Sequence, residues 1–133
     1  MLSTTRRVEF RDTDAAGIMH FSAFFPMMES AEHELLRSWG MSVMPRERGP
    51  NDVTWPRVAA TCDYLAAARF EDILAINVSV LKVGNSSVQY GFDFSRDETP
   101  IAKGTLTAVC CRLDTSGLTK VPIPDSVRQL MQG

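Results

Sequence analysis

Residues 12 to 21 read Asp12-Thr13-Asp14-Ala15-Ala16-Gly17-Ile18-Met19-His20-Phe21 and hold the densest set of reactive groups in the chain. Two carboxylates, an imidazole and a glycine fall just ahead of a segment with helical periodicity. Backbone N–H groups at the start of a helix lack an intrahelical acceptor, so they can stabilise a developing oxyanion. A carboxylate beside them can act as nucleophile or general base. Gly17 would let a ligand approach the backbone closely. The same residue types also suit plain structural work, because Asp12 and Asp14 are favoured in turns and caps.

The elements that would position this segment follow from hydrophobic spacing. Val8 and Phe10 share a face of a first strand over residues 5–10. Between Ser22 and Trp39, the residues Phe24, Met27, Met28, Ala31, Leu35 and Trp39 recur at spacings of three and four, which predicts an amphipathic helix. Ser22 is the expected N-cap, Pro26 fits only in the first turn, and Gly40 is a suitable stop. Glu29, Glu32 and His33 fall off the apolar stripe and are expected in solvent. Residues 41–52, with Pro45, Gly49 and Pro50, read as a loop. Strand patterns follow over 53–65, 73–83, 88–95 and 101–113, with Gly84-Asn85 and Arg96 to Thr99 as turns. Residues 124–131 read as a short terminal helix. A single amphipathic helix among antiparallel strands must bury its stripe on the sheet. The expected fold class is therefore α+β, an antiparallel five-stranded sheet wrapped around one long helix, with residues 1–133 as one domain. The open edges of such a sheet invite pairing with a second copy.

Composition excludes several classes. The 133 residues are 44% apolar and 23% charged, and a chain of this size buries roughly two-thirds of its surface on folding, so it is not a disordered tail. Its net charge of -2 argues against a nucleic-acid coat or a polybasic membrane anchor. Met1 to Arg7 is not followed by an apolar run, so no secretory signal is expected, and no stretch is long enough for a membrane helix. Cys62, Cys110 and Cys111 form no paired framework and are expected as reduced thiols of a cytoplasmic protein. Cys110 and Cys111 would point to opposite faces of a strand. His20 and His33 would lie about 20 Å apart along a helix, too far for a shared metal. No Walker-type or Rossmann-type glycine motif is present, and neither metal nor cofactor is expected.

The run from Val8 to Phe21 resembles the signature of the 4-hydroxybenzoyl-CoA thioesterase family, of the hotdog fold. The helix through Glu29, Ala31 and Leu35 is similar too, as is the segment Tyr64-Leu65-Ala66-Ala67-Ala68-Arg69-Phe70-Glu71-Asp72. Ala67 stands where the family usually has proline. Gly84-Asn85-Ser86-Ser87 resembles the family's turn before its next strand. Asp-Thr-Asp-Ala-Ala-Gly is similar as well to the 1,4-dihydroxy-2-naphthoyl-CoA hydrolases of the same family.

The resemblance implies an acyl-CoA thioesterase acting on a small aromatic or a short- to medium-chain acyl group. It makes Asp14 the catalytic carboxylate, as nucleophile or as base for water, and places the oxyanion donor at the backbone N–H of Phe21, next to His20. It implies a dimer with a continuous sheet and sites at the subunit interface, with dimers commonly pairing into tetramers. A thioester carbonyl has weak resonance, so one carboxylate and one oxyanion donor can suffice. His20 then has three open roles: proton transfer, pocket lining or structure. Met28, Trp55 and Tyr64 are candidates for the acyl pocket, with core packing as the other reading. Glu29 is a candidate to face the pocket. CoA needs cations and backbone groups for its phosphates, and Arg69, Lys82, Asn85, Ser86 and Ser87 are the candidates. Three other classes stay open: a hotdog enoyl-CoA hydratase, a non-catalytic acyl-CoA-binding module and a purely structural oligomerisation domain. The first would need a His–Asp pair in a longer motif, which is not found here. The second would hold ligand without turnover.

Overall fold

Alternating apolar residues and one helical stripe set the architecture. A computed structural model describes residues 1–47, 49 and 52–133. Arg48, Pro50 and Asn51, within the loop expected over 41–52, lie outside the described residues. The chain runs through β1 (Leu2–Arg7), α1 (Phe24–Ser38), β2 (Arg57–Tyr64), β3 (Ile73–Val83), β4 (Ser87–Arg96), β5 (Thr99–Val109), β6 (Cys111–Asp114), β7 (Gly117–Lys120) and α2 (Asp125–Gln132). Five strands form one sheet in the order β1-β3-β4-β5-β2, with every neighbouring pair antiparallel. The short β6–β7 hairpin was not expected and forms a second small sheet.

The core forms where α1 crosses the sheet. Leu74, Ile76 and Val78 of β3, Val88, Tyr90, Phe92 and Phe94 of β4, and Ile101 of β5 bury against Met27, Met28, Ala31 and Leu35 of α1. Strand alternation puts these residues on one face. Gly104 of β5 lies directly beneath the helix. A Cβ there would stand 2.4 Å from Met28 Sδ and 3.0 Å from the Thr61 carbonyl oxygen, so the missing side chain is what lets helix and sheet approach.

Four expectations need correction. The first strand ends at Arg7, and residues 10–12 form a 3-10 turn instead. Val8 is therefore buried while Phe10 is 76% exposed. Strand β2 starts at Arg57, and the long strand expected over 101–113 breaks at Cys110. The reason is Pro56: its carbonyl accepts from Val109 N–H at 3.0 Å, but it has no N–H to return the ladder bond. β5 ends at Val109, and Cys110 and Cys111 are both buried. His33 is half-buried and not free in solvent.

The fourth correction is Glu32, which is 1% exposed. Its carboxylate accepts from Arg57 Nη2 at the start of β2, and His33 Nε2 lies 3.6 Å away. Burial pushes the Glu32 carboxyl up to about 7, against the opposing pull of Arg57. The unfolded chain would release this proton near 4.5. The folded protein therefore holds the proton where the unfolded chain has lost it. Stability from Glu32 is full below that lower value, falls as pH rises towards about 7, and is level above. The total change is about 3 kcal/mol. Burial lowers the His33 value, which acts with the opposite sign below its ordinary range. Comparing the parent with Glu32→Gln isolates the glutamate. The melting temperature of the parent should fall between pH 5 and 7.5 by several degrees more than that of the variant. Equal slopes in the two proteins would refute this assignment.

Candidate active site

The segment 12–21 folds back on itself between β1 and α1. Thr13 and Met19 form an isolated antiparallel bridge. Asp14 N–H donates to the Ile18 carbonyl at 3.0 Å and Gly17 N–H to the Asp14 carbonyl at 3.0 Å. Gly17 has φ +81° with open space around its Cβ position, so glycine serves the left-handed turn at this position. Asp14 Oδ1 accepts from Ala16 N–H at 2.8 Å. The other carboxylate oxygen has no hydrogen-bond partner among the described residues.

Behind this turn the chain enters a 3-10 turn, Phe21–Ala23, that runs straight into α1. His20, and not Ser22, is the cap: its Nδ1 accepts from Ser22 N–H at 3.1 Å. Ala23 N–H donates to the His20 carbonyl at 3.0 Å. The Phe21 N–H has no acceptor among the described residues. Its carbonyl accepts from Tyr64 Oη at 2.9 Å.

A cavity of about 390 Å³ opens between this turn and the segment after β2. It is lined by Asp14, Ile18, Met19, Phe21, Phe24 and Tyr64, with Leu65 to Ala68 as the second wall. Phe24 forms the floor, its ring meeting Tyr64 and Phe94 edge-on at 5.3 and 5.2 Å. The second wall is tied to the first by Met19 N–H on the Ala68 carbonyl at 2.7 Å. Arg96 and Asp72 brace it from behind at 2.8 Å. The Arg69 backbone N–H, and after it Arg96, hold the Asp72 carboxyl below its ordinary range.

The other candidates lie elsewhere. His20 lines a separate cavity with Arg6, Arg7, Glu9 and Arg11. Met28 is fully buried beneath α1, and Trp55 is 7% exposed and belongs to the core. Glu29 is exposed on a groove beside β2 that also holds Phe25, Arg57 and Leu106. Arg69 is exposed just beyond the Ala66–Ala68 wall. Lys82 and Ser87 share a shallow cavity with Gln89 and Thr107. The Asn85 carbonyl accepts from Ile123 N–H, and the Ser86 carbonyl from Cys110 N–H. Lys82, Asn85, Ser86 and Ser87 lie at or beside the β3–β4 turn, and Ser87 is seven residues along β4 from Phe94, which meets the cavity's Phe24, roughly 23 Å by strand rise. Within one chain they do not reach Asp14. Among the described residues, no cluster of three or more His, Cys, Asp or Glu is placed to hold a metal, and no helix is long and apolar enough to cross a membrane.

Residues 8–131 match the model of the thioesterase-like superfamily. The chain belongs to this superfamily. This thioesterase is 31% identical over 136 residues to a 1,4-dihydroxy-2-naphthoyl-CoA hydrolase of Synechococcus sp. (strain CC9605), spanning 98% of this chain and 89% of the relative. Among solved structures it matches a 1,4-dihydroxy-2-naphthoyl-CoA thioesterase from Synechocystis with TM-score 0.83 and 25% identity, covering 98% and 94% of the two chains. A gentisyl-coenzyme A thioesterase matches with TM-score 0.81 and 28% identity, over 99% and 100%. The five-stranded sheet around one long helix is thus the hotdog fold, and the chain is an enzyme of the thioesterase class.

Proposed function

We propose that this thioesterase hydrolyses acyl-CoA thioesters that carry a small aromatic acyl group. The observation that carries this reading is one cavity lined by both Asp14, with a carboxylate oxygen that has no partner among the described residues, and Phe21, whose backbone N–H has none among them either. The aromatic preference is supported by the names of the relatives and by the Phe24 and Tyr64 rings at the cavity wall. A volume near 390 Å³ lies at the small end of the roughly 300–1,000 Å³ of ligand sites. It suits the acyl group and thioester, with the rest of CoA outside.

In the reaction the thioester carbonyl carbon is attacked, and negative charge moves to its oxygen. The Phe21 N–H donates to that oxygen as charge develops. Asp14 supplies the attacking power by one of two routes. It takes a proton from water, whose oxygen adds to the carbonyl, or its own oxygen adds to give an anhydride that water then opens. The C–S bond breaks in either case, and CoA leaves as the thiolate. Label left in the Asp14 carboxylate after a single turnover in ¹⁸O-water establishes the anhydride route with water entering at the aspartyl carbon, because the base route puts all of the label in the acid product. The reading itself is tested by thiol release from a panel of aromatic and aliphatic acyl-CoAs. Release fastest with the aromatic members is expected. Bound acyl-CoA without any thiol release would favour a binding module and overturn the proposal.

The active unit is read as a homo-oligomer, a dimer or tetramer. β2 is an unpaired edge of the sheet, and Val58 on it is 61% exposed. Exposed apolar edges pair with other chains. A second copy adding its β2 there would extend the sheet and bring another β3–β4 turn into play, a route by which Lys82, Asn85, Ser86 and Ser87 could serve an Asp14 site. Sedimentation of the parent at twice the 14.8 kDa chain mass or more is expected, with Val58→Glu shifted towards monomer. A parent that stays monomeric at tens of micromolar would exclude the interface.

A further inference from the structure

The Phe21 N–H is open, whereas those of its two successors are occupied. Ser22 N–H is taken by His20 Nδ1 at 3.1 Å, and Ala23 N–H by the His20 carbonyl at 3.0 Å. The Ser22 hydroxyl also lies on Nδ1, at 2.8 Å. Nδ1 can accept from the Ser22 N–H only when the ring proton sits on Nε2. From the opposite side, Tyr64 Oη donates to the Phe21 carbonyl at 2.9 Å. Tyr64 is the last residue of β2, and its ring is packed edge-on against Phe24.

We infer that His20 and Tyr64 are positioning residues for thioester hydrolysis, a cap and a strand-end clamp that leave Phe21 N–H as the single unfilled donor of the turn and hold it in place. This rests on the reading of Phe21 as the oxyanion donor. His20 acts from outside the acyl cavity. Its ring lines the neighbouring cavity with Arg6, Arg7 and Arg11 and is absent from the one that holds Asp14. In this reading the imidazole acts on the turn and not on the substrate. Without the cap, Ser22 N–H is left to compete with Phe21 for the oxyanion, and the turn loses its register. Without the Tyr64 hydroxyl, the peptide unit joining the Phe21 carbonyl to the Ser22 N–H is free to rotate, which pulls the Ser22 N–H off His20 Nδ1 and loosens the turn that holds Phe21.

The test measures thiol release from the fastest aromatic acyl-CoA of the panel, with parent, His20→Ala, His20→Asn, Tyr64→Phe and Asp14→Asn side by side. A small misplacement of a catalytic group costs up to roughly a hundredfold. His20→Ala and Tyr64→Phe are each expected to lower kcat by roughly tenfold to a hundredfold, with KM within about twofold of the parent. His20→Asn keeps an oxygen that can accept from Ser22 N–H and should return kcat to within about threefold of the parent. A structural defect would not follow that pattern, because asparagine replaces the cap and not the ring packing. Parental kcat in His20→Ala and Tyr64→Phe, with Asp14→Asn inactive, overturns the inference and leaves the carboxylate reading intact. Equal loss in His20→Asn and His20→Ala overturns the capping role. Parental kcat in Asp14→Asn overturns the underlying reading instead.

Discussion

Asp14→Asn should lower kcat by roughly two to four orders of magnitude, the range for loss of a positioned general base. KM should change little, because the amide keeps the size and place of the carboxylate. The substitution also preserves the local fold. Asp14 accepts from Ala16 N–H through Oδ1 alone, and asparagine offers the same acceptor. The Gly17 and Ile18 backbone bonds that close the turn do not involve the side chain. What disappears is the negative charge and the lone pair on the free oxygen, the two properties that both chemical routes need. Residual activity is expected from Phe21 N–H and from the intrinsic reactivity of the thioester. A folded Asp14→Asn protein with kcat within threefold of the parent would remove Asp14 from the mechanism.

Phe24→Ala should cost about 3–5 kcal/mol of stability, as for other buried phenylalanines, and should alter acyl selectivity at the same time. Phe24 is 2% exposed. It sits at the first position of α1, touches Phe94 in the core on one side and Tyr64 at the cavity on the other. Truncation leaves a void continuous with the acyl cavity, so larger acyl groups gain room while small ones lose contact. The thioesterase should melt at a clearly lower temperature, and its rate ratio for a bicyclic over a monocyclic aromatic thioester should rise. An unchanged ratio would show that the ring supports the core without shaping the acyl site. Losing little stability would instead mean that Tyr64 or Phe94 collapses into the gap.

Much of this was legible in the sequence, and the exceptions have identifiable causes. Alternation in β3 and β4 was plain because both strands bury one whole face, so every second residue is constrained. The reactive segment was legible because Asp14, Gly17 and the helix start are local, within eight residues. Glu32 was misread although a sign was present: it stands four residues after Met28 and three before Leu35, on the buried stripe. Its charge outweighed its spacing because the neutralising partner, Arg57, is 25 residues away. His20 as cap was hidden by Ser22, the better capping type by preference, since a 3-10 turn shifts the start of the helical segment by two residues. The end of β5 depended on Pro56, which faces it from the residue just before β2. Lys82, Asn85, Ser86 and Ser87 fall away from Asp14 within one chain because the hairpin that carries them closes at the opposite end of β3 and β4.

The two walls of the acyl cavity come from segments about fifty residues apart, and they carry different burdens. One wall holds the reacting groups and tolerates little change. The other presents three consecutive alanines, Ala66 to Ala68, whose ties to the first wall run through the backbone. Side chains at Ala66 and Ala67 can therefore grow without disturbing the bonds that set Asp14. Substrate range and chemical power can drift independently in such a scaffold, so a lineage could exchange one acyl group for another by substitution at two positions while its hydrolytic machinery stays fixed.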